Sequence, residues 1–413
     1  MARAVRLAAS HGSGELSQLR AEIDRGLRTS RFLGYYESRG WAHEAQPIVE
    51  EISDAVRSSP SADLVVLIER AIGRVVKVIL QADDSDGLIG DVARELLDLH
   101  AEACDAGVAD PIKLARWMVK FRFDDQDFFE ADPVRYAKAL GETGLTVFRR
   151  AVQGCRKAGA GDSFALRYAE ERLAVLDGDT DAIVRLLGGD LTAPHQFIRI
   201  AEAMGELGRD EDVLVWATRG IVETSGWQVA QLYDLAARVH ARRGQDEAVL
   251  QLRREQHHRR PSSSTYGLLR TGAEACGTWQ TECPGARAVL AEHDLGGLVD
   301  VLLTDNEPDA AWEMSRDHPE WDPGAHRWMR LAEAREASAP GEALDVYLRL
   351  VDVELETTGR GSYVRAAAIL KKAVRAAKAA DRQGELAEHL AALREAHRRR
   401  PTFIKILDQA RLG

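Results

Sequence analysis

Cysteine, aromatic residues and long apolar runs are all scarce in this 413-residue chain. Its four cysteines, Cys104, Cys155, Cys276 and Cys283, form no C-x-x-C pair, so their spacing indicates neither a disulfide framework nor a zinc ribbon. No apolar run reaches the roughly 20 residues needed to cross a bilayer without a charge. The apolar stretch within residues 1–10 is too short for a secretory signal. We therefore expect a cytoplasmic protein with reduced thiols and no membrane partner.

Catalytic signatures are missing as well. The sequence contains no Walker lysine loop, no G-x-S-x-G and no H-E-x-x-H. It also shows no four-ligand metal set, which predicts that folding needs neither a metal nor another cofactor. An enzyme is the least favoured functional class, although it stays open because an absent motif is weak evidence.

Charge is unevenly distributed along the chain. The total is −11, whereas residues 361–413 carry 12 Lys and Arg against 5 Asp and Glu, a net charge of +7. The preceding 360 residues therefore carry −18 (−11 − 7). This acidic body argues against general nucleic-acid binding, and the basic C-terminal end is the one place where such binding is considered.

A central pair of apolar helices surrounds an acidic turn. Between Leu64 and Leu80 the polar residues fall three or four apart in an apolar background, which predicts a largely buried helix. A strand of that length would be exceptional. Ser59 and Pro60 are predicted to be the N-cap and the first residue of this helix. The turn Asp83-Asp84-Ser85-Asp86-Gly87 and a second apolar helix follow.

Three interpretations of the acidic turn are considered. Asp83, Asp84 and Asp86 before a glycine resemble a calcium loop, but Ala82 and Ala93 occupy the positions of its first and last ligands. Calcium is therefore disfavoured. The favoured interpretation is a turn whose side chains cap the next helix. A docking point for a cationic partner stays open as a binding role for these three residues.

His100 and Cys104 are one helical turn apart and could form a metal site or a thiol with its base. Because they align with Leu96 and Leu97, a buried, hydrogen-bonded histidine is favoured.

Other boundaries follow from caps and breakers. The glycines and aromatic residues of 34–41 are predicted to separate a first helix from a second that begins at Ala42. Asp110-Pro111 and Asp132-Pro133 each resemble an N-cap followed by a first-turn proline. The segment between those two helices, residues 121–129, is predicted to be an acidic, aromatic connection. Pro284, between two of the cysteines, suggests a loop.

The second half of the chain repeats itself. Gly208-Arg-Asp-Glu-Asp-Val-Leu214 and Gly244-Gln-Asp-Glu-Ala-Val-Leu250 are similar turns 36 residues apart, and Gly277 follows after 33 more. This is the tetratricopeptide-like period, in which helical hairpins bury their apolar faces by stacking. The predicted fold is an all-α solenoid of helical hairpins, with a divergent helical N-terminal domain at 1–190 and repeats at 191–413.

The basic end contains a longer-range match. Gly244 to Pro261 and Gly384 to Pro401 align, and each segment ends in Arg-Arg-Pro. Cations near a helix C-terminus complement its dipole, so this motif has a structural explanation without any ligand. The cations considered for binding are Lys371, Lys372, Arg375, Lys378, Arg398, Arg399 and Arg400.

Several short sequences together carry a family resemblance. They are Phe32-Leu-Gly-Tyr-Tyr36, Leu67-Ile-Glu-Arg-Ala-Ile72, Asp83-Asp-Ser-Asp-Gly87, Leu97-Asp-Leu-His100 with Cys104, Asp110-Pro111 with Leu114-Ala115, and Leu140-Gly-Glu-Thr-Gly144. They resemble an uncharacterised bacterial family of helical proteins associated with SWIM-type zinc fingers, and residues 343–412 resemble the tail of SWIM-associated proteins. The SWIM signature requires C-x-C followed by C-x-H, which this chain lacks, so zinc and SWIM-type DNA contact do not carry over.

Two functional hypotheses follow. The favoured one is a non-enzymatic scaffold that binds a protein or peptide partner in a groove between hairpins. The alternative is a nucleic-acid-associated accessory module that uses the basic C-terminal helices, which the SWIM resemblance supports.

Overall fold

The computed structural model describes residues 2–157 and 163–412, with side chains from residue 14 onward. The side chains of residues 1–10, on which the secretory-signal argument depends, lie outside that description. Within the described ranges the chain forms 21 α-helices and two π-helical turns, and its only β pairing is an isolated bridge between Leu33 and Ala82. The all-α prediction is confirmed.

The chain divides into two compact units, residues 1–232 and 233–413. This division lies some 40 residues beyond the predicted boundary at 190/191, which falls between two packed helices of the first unit. The helices of the first unit are α1 (Ala2–Gly26), α2 (Tyr35–Ser58), α3 (Ala62–Ile79), α4 (Leu88–Ala103), α5 (Pro111–Lys120), α6 (Ala137–Lys157), α7 (Phe164–Asp177), α8 (Thr180–Gly188), α9 (Pro194–Glu206) and α10 (Asp210–Glu223).

Helix α11 (Val229–Arg242) crosses from the first unit into the second. Each unit has its own apolar core, the first built from α1 to α7 and the second from α12 onward. The helices of the second unit are α12 (Asp246–Arg259), α13 (Ser263–Ala275), α14 (Trp279–His293), α15 (Leu295–Thr304), α16 (Pro308–Asp317), α17 (Gly324–Arg335), α18 (Pro340–Glu356), α19 (Arg360–Ala379), α20 (Gln383–Ala396) and α21 (Pro401–Gln409).

The predicted apolar helix is α3, and half of its 18 residues are buried. Its predicted start is wrong. Helix α2 continues to Ser58, and Ser61 caps α3 by accepting a hydrogen bond from Leu64 N at 3.2 Å. Pro60 lies in the short connection, where it ends the preceding helix. The capping serine is therefore Ser61, two residues after the predicted Ser59.

Four further boundaries differ from the prediction. Helix α6 begins at Ala137 and not at Pro133, which lies in a turn. Helix α2 begins at Tyr35 rather than Ala42, because Glu37 accepts a hydrogen bond from Gly34 N and caps the earlier start. Pro284 lies inside α14 instead of in a loop. The connection after α5 begins with a π-helical turn, Phe121–Asp125, before the chain becomes irregular.

One turn geometry recurs along the chain. Gly208, Gly244 and Gly277 all adopt left-handed φ angles between 66° and 69°. In each case the next residue donates a hydrogen bond to the carbonyl five positions earlier, at 2.9, 3.0 and 2.8 Å respectively. This is the Schellman helix ending. The predicted equivalence of these three turns is thus present in the backbone.

The same ending occurs where the sequence analysis did not find it. Gly178, Asn306 and Asp381 have φ angles of 65°, 61° and 55°, and the residue after each makes the same bond at 3.1, 2.8 and 2.9 Å. The helices on either side of such a turn pack against each other: α7 with α8 around Gly178, α9 with α10 around Gly208, and α19 with α20 around Asp381. Gly384, aligned in sequence with Gly244, instead lies in the first turn of α20.

Across the part of the chain that the structure describes, no helix is both long and apolar enough to span a membrane.

Candidate functional site

The acidic turn lies between α3 and α4. Both carboxylate oxygens of Asp84 accept backbone hydrogen bonds, from Ile89 N and Gly90 N at 2.9 Å each. Asp83 accepts hydrogen bonds from the backbone and hydroxyl of Ser85. Asp84 therefore acts as the helix cap that the favoured interpretation predicts.

Asp86 has a different environment. Its side chain is 19% exposed and lies 3.6 Å from Arg39 Nε. Neither of its oxygens has a hydrogen-bond partner among the described residues. Asp86 is thus the carboxylate of this turn that no backbone group holds, and an ion pair with Arg39 alone offsets its charge.

An aromatic segment lies against the acidic turn. Leu33 N donates to Gln81 O at 2.9 Å, and Asp83 N donates to Leu33 O at 2.8 Å. On either side of Leu33, Phe32 is 64% exposed and Tyr36 is 84% exposed. We call Phe32, Tyr36 and Asp83 the acidic–aromatic surface; the carboxylate oxygens of Asp86 are buried behind it. Large exposed aromatic residues beside carboxylates are typical of interaction surfaces.

His100 lies in a buried polar cluster of the first unit. Its Nδ1 is 2.9 Å from Tyr136 Oη, its Nε2 is 3.6 Å from a carboxylate oxygen of Glu69, and its ring packs against Trp117. The prediction of a buried, hydrogen-bonded histidine is confirmed. Cys104 Sγ is 3.8 Å from His100, but burial, followed by the charge of Glu69, raises the pKa of this thiol to about 12. The thiol is protonated at neutral pH and is a poor nucleophile.

The connection between α5 and α6 folds around Gln126. Its amide donates to Phe121 O and Phe129 O, and its carbonyl accepts from Phe129 N at 2.7 Å. The chain then places Glu130 2.6 Å from the buried guanidinium of Arg122. Burial raises the pKa of Glu130 to about 7, although the charge of Arg122 opposes that shift.

Most of the predicted basic residues have partners within the chain. Lys372 pairs with Glu333 and Arg375 with Glu336, so α19 is tied to α17. Arg398 pairs with Glu395, and Arg400 donates to Leu355 O at 2.9 Å, near the C-terminus of α18. Of the seven cations considered, Lys371, Lys378 and Arg399 have neither an ion pair nor a side-chain hydrogen bond among the described residues, and Arg400 has the hydrogen bond alone. These cations therefore do not form one free basic patch.

The sequence analysis missed a polar cluster in the second unit. Asp305, 11% exposed, receives hydrogen bonds from Arg270 at 2.7 Å, Arg287 at 2.8 Å and Tyr266 at 3.0 Å. Burial disfavours the charged carboxylate, but hydrogen bonds from Arg287 and Tyr266 outweigh it and lower the pKa of Asp305. Arg287 also pairs with Glu307. Every charged group of this cluster has an internal partner, which is typical of a structural network.

An open cavity of about 560 Å³ lies beside that cluster, lined by Trp279, Cys283 and Arg287 among others. Arg270 lies over the ring of Trp279, and Tyr266 Oη is 3.4 Å from Cys283 Sγ. The one sequence feature that could have pointed to this cluster was a possible turn at Asn306, 29 residues after Gly277. The charged residues come from three elements, so their meeting has no local pattern.

A second cavity in this unit, of about 360 Å³, lies between α19 and α20. Val374, Leu386, Leu390 and Leu412 form much of its wall. We call it the α19–α20 groove.

Within the described ranges, no group of three or more His, Cys, Asp or Glu side chains is arranged to hold a metal ion.

These features define an all-α protein of paired helices with structural polar networks and two open surface cavities in its second unit. Comparison with models of known protein families and with curated proteins finds no match for this chain.

Proposed function

We propose that this protein is a non-enzymatic scaffold of tetratricopeptide-like helical hairpins that binds a protein or peptide partner. The observation that carries the proposal is the recurrence of one left-handed turn, with the same hydrogen bond, at six positions between Gly178 and Asp381. Repeated hairpins bury their apolar faces on their neighbours and present extended surfaces to a partner. Membership of the SWIM-associated helical family and a cytoplasmic location are part of this proposal.

The environments of the side chains that could take part in catalysis favour a scaffold over an enzyme. His100 and Cys104 are buried in the core, and Asp305 is held between two guanidinium groups. Groups that are fully hydrogen-bonded inside a protein rigidify it and are not available to a substrate.

Within this proposal, the acidic–aromatic surface is a docking point for a cationic partner. Tyr36 offers an exposed ring for stacking with arginine, and Asp83 offers a carboxylate whose hydrogen bonds among the described residues all come from Ser85. The oxygens of Asp86 are buried, so Asp86 contributes charge behind this surface and is not a direct contact. The alternative, a nucleic-acid accessory module, is supported by the net charge of +7 in residues 361–413. It is weakened because, of the seven cations considered, three pair with a carboxylate and a fourth donates to a backbone carbonyl.

The test is affinity purification of the tagged full-length protein from its native cells after cross-linking, with and without nuclease, followed by mass spectrometry. We expect a stoichiometric protein partner that survives nuclease treatment. Tyr36→Ala should weaken its capture, whereas Trp227→Ala, which removes a ring that is 76% exposed elsewhere in the first unit, should not. Loss of every partner on nuclease treatment would instead support the accessory-module alternative.

A further inference from the structure

We infer that the α19–α20 groove is a docking site for an acidic amphipathic helix of a partner protein. The inference rests on the proposed scaffold function and specifies one surface and one class of partner for it.

The floor of the groove is apolar and partly made of small residues. Ala387 and Ala391 are exposed and lie one turn apart on α20, beside the buried side chains of Leu386 and Leu390. Across from them, Val374 of α19 is 41% exposed. Small residues allow another helix to approach closely, and apolar side chains at this spacing match the i, i+3, i+4 stripe of such a helix.

The far wall of the groove is held in place by one arginine. Arg394 donates to Leu412 O at 2.7 Å and to Asp408 at 2.8 Å. Leu412 is thereby fixed beside α20 with its side chain buried. The groove is therefore part of the folded unit and does not need a ligand to form.

The rim of the groove is positively charged. Lys371 and Lys378 lie one turn before and one turn after Val374 on the same exposed stripe of α19. Arg411 lines the cavity directly. None of these three cations has an ion-pair partner among the residues that the structure describes. Of the nearby carboxylates, Glu385 and Asp408 are paired with Arg382 and Arg394, whereas the exposed Glu388 of α20 has no ion-pair partner among the described residues. The three cations outnumber this one carboxylate, so the net charge of the unpaired groups at the rim is positive.

These observations select an acidic helix among the possible occupants. Unpaired cations around an apolar floor are complementary to a helix with carboxylates flanking its apolar stripe. A basic helix would meet like charges at the rim. Single-stranded nucleic acid would need aromatic rings on which bases could stack, and the lining residues include none. From Gln383 to Arg394 the lining residues of α20 span about 16 Å, enough for about three turns of a partner helix.

The probe is a labelled synthetic peptide of about 18 residues, roughly five helical turns, with Leu and Ala on one face and Glu on the other. A counterpart carries Lys in place of Glu. Binding to the full-length protein is measured by fluorescence anisotropy. We expect saturable binding of the acidic peptide, weakened by salt, and at least tenfold weaker binding of the basic one.

A matched pair of variants locates the site. Ala391→Gln places a long side chain in the groove, whereas Ala392→Gln makes the same change one residue further on, at an exposed position outside the lining. We expect the first to weaken binding of the acidic peptide at least about tenfold and the second to leave it unchanged. Lys371→Glu with Lys378→Glu should also weaken it, while Lys405→Glu on α21 should not. Circular dichroism and thermal midpoints verify that each variant is folded.

Several outcomes would overturn the inference. These are equal effects of the two glutamine variants, equal or tighter binding of the basic peptide, or no binding of the acidic peptide up to about 1 mM. Displacement of the bound peptide by an oligonucleotide would do the same. So would sedimentation showing a wild-type dimer that Ala391→Gln converts to a monomer, because a second copy would then occupy the groove. If a cellular protein partner is retained equally by wild type and Ala391→Gln, only this inference fails. If no protein partner is retained, the proposed function itself fails.

Discussion

Glu130 is a carboxylate whose titration depends on its burial beside Arg122. Its folded pKa of about 7 lies above the unfolded value of about 4.3. The folded state therefore binds the proton more tightly, and the resulting stabilisation is complete below the unfolded pKa and is lost as pH rises through 7.

Replacing Glu130 by glutamine tests this sign. Between pH 4.5 and pH 8 we expect the unfolding free energy of the wild type to fall by about 3 kcal/mol more than that of Glu130→Gln. Urea unfolding at several pH values measures the difference. Glu102→Gln, an exposed position on α4, is the control and should keep the wild-type profile. Parallel profiles for wild type and Glu130→Gln would show that Glu130 titrates normally.

Asp305 has the opposite role, because two guanidinium groups and a tyrosine hydroxyl stabilise its charge. Asp305→Asn removes that charge and leaves Arg270 and Arg287 partly unpaired, which should cost about 1 to 3 kcal/mol in urea unfolding. Glu307→Gln, at a carboxylate that is 44% exposed, should cost less than about 1 kcal/mol. Equal costs would contradict the assignment of Asp305 as the centre of the cluster.

At the scale of a single element, substitutions at Asp84 and Asp83 distinguish a carboxylate that caps a helix from one that is available to a partner. Asp84→Ala removes two backbone hydrogen bonds at the start of α4 and should destabilise the protein by about 0.5 to 2 kcal/mol. Asp83→Ala affects only the contacts with Ser85 and should cost markedly less. Thermal unfolding measures both. Similar costs would contradict the assignment of Asp84 as the cap of α4. A small cost for Asp83→Ala would make Asp83 the better position at which to test binding of a cationic partner.

The recurrent turn predicts that alanine substitutions at two aligned glycines change stability in opposite directions. Gly244 has a φ of 66°, which an alanine adopts only at a cost of about 1 to 2 kcal/mol. Gly384 is helical with open space around its Cα, so an alanine there should stabilise by about 0.4 to 1 kcal/mol. Gly244→Ala and Gly384→Ala should thus shift the urea midpoint in opposite directions. Shifts of the same sign would mean that the two glycines are conformationally equivalent, as their alignment in sequence suggested.

The turns also show how far sequence reasoning could reach. Period and capping are local signals, so α3, the buried His100 and the turns at Gly208, Gly244 and Gly277 were predictable from neighbouring residues. Gly178 was missed because the sequence after it is less similar to those after Gly208 and Gly244. Asn306 and Asp381 were missed because a residue other than glycine occupies the left-handed position, which Asn and Asp tolerate. The Asp305 cluster was missed for a different reason. The three residues that bond Asp305 lie 18, 35 and 39 positions before it and meet it only after the helices pack.

At the scale of the whole molecule, ion pairs within the chain weaken the indication of nucleic-acid binding that the basic C-terminal composition gives. Residues 361–413 have a net charge of +7, yet Lys372, Arg375 and Arg398 each have a carboxylate partner and Arg400 binds a backbone carbonyl. Paired cations release fewer counterions on meeting a phosphate backbone, because their charge is already partly neutralised. Three of the cations without an ion pair among the described residues, Lys371, Lys378 and Arg411, lie at the α19–α20 groove, where they favour carboxylates on a helix.

The resulting prediction concerns nucleic acid. At about 150 mM salt we expect no binding of duplex or single-stranded DNA, because the first 360 residues carry a charge of −18 and half of the 12 Lys and Arg of the basic end pair with carboxylates. Filter binding and anisotropy over a range of salt concentrations measure this. Replacing Arg398, Arg399 and Arg400 with glutamine should then alter only stability, by about 0.3 to 1 kcal/mol for each charge near a helix terminus. Tight binding that falls steeply with salt, and falls further in the triple variant, would instead identify the basic end as a nucleic-acid surface.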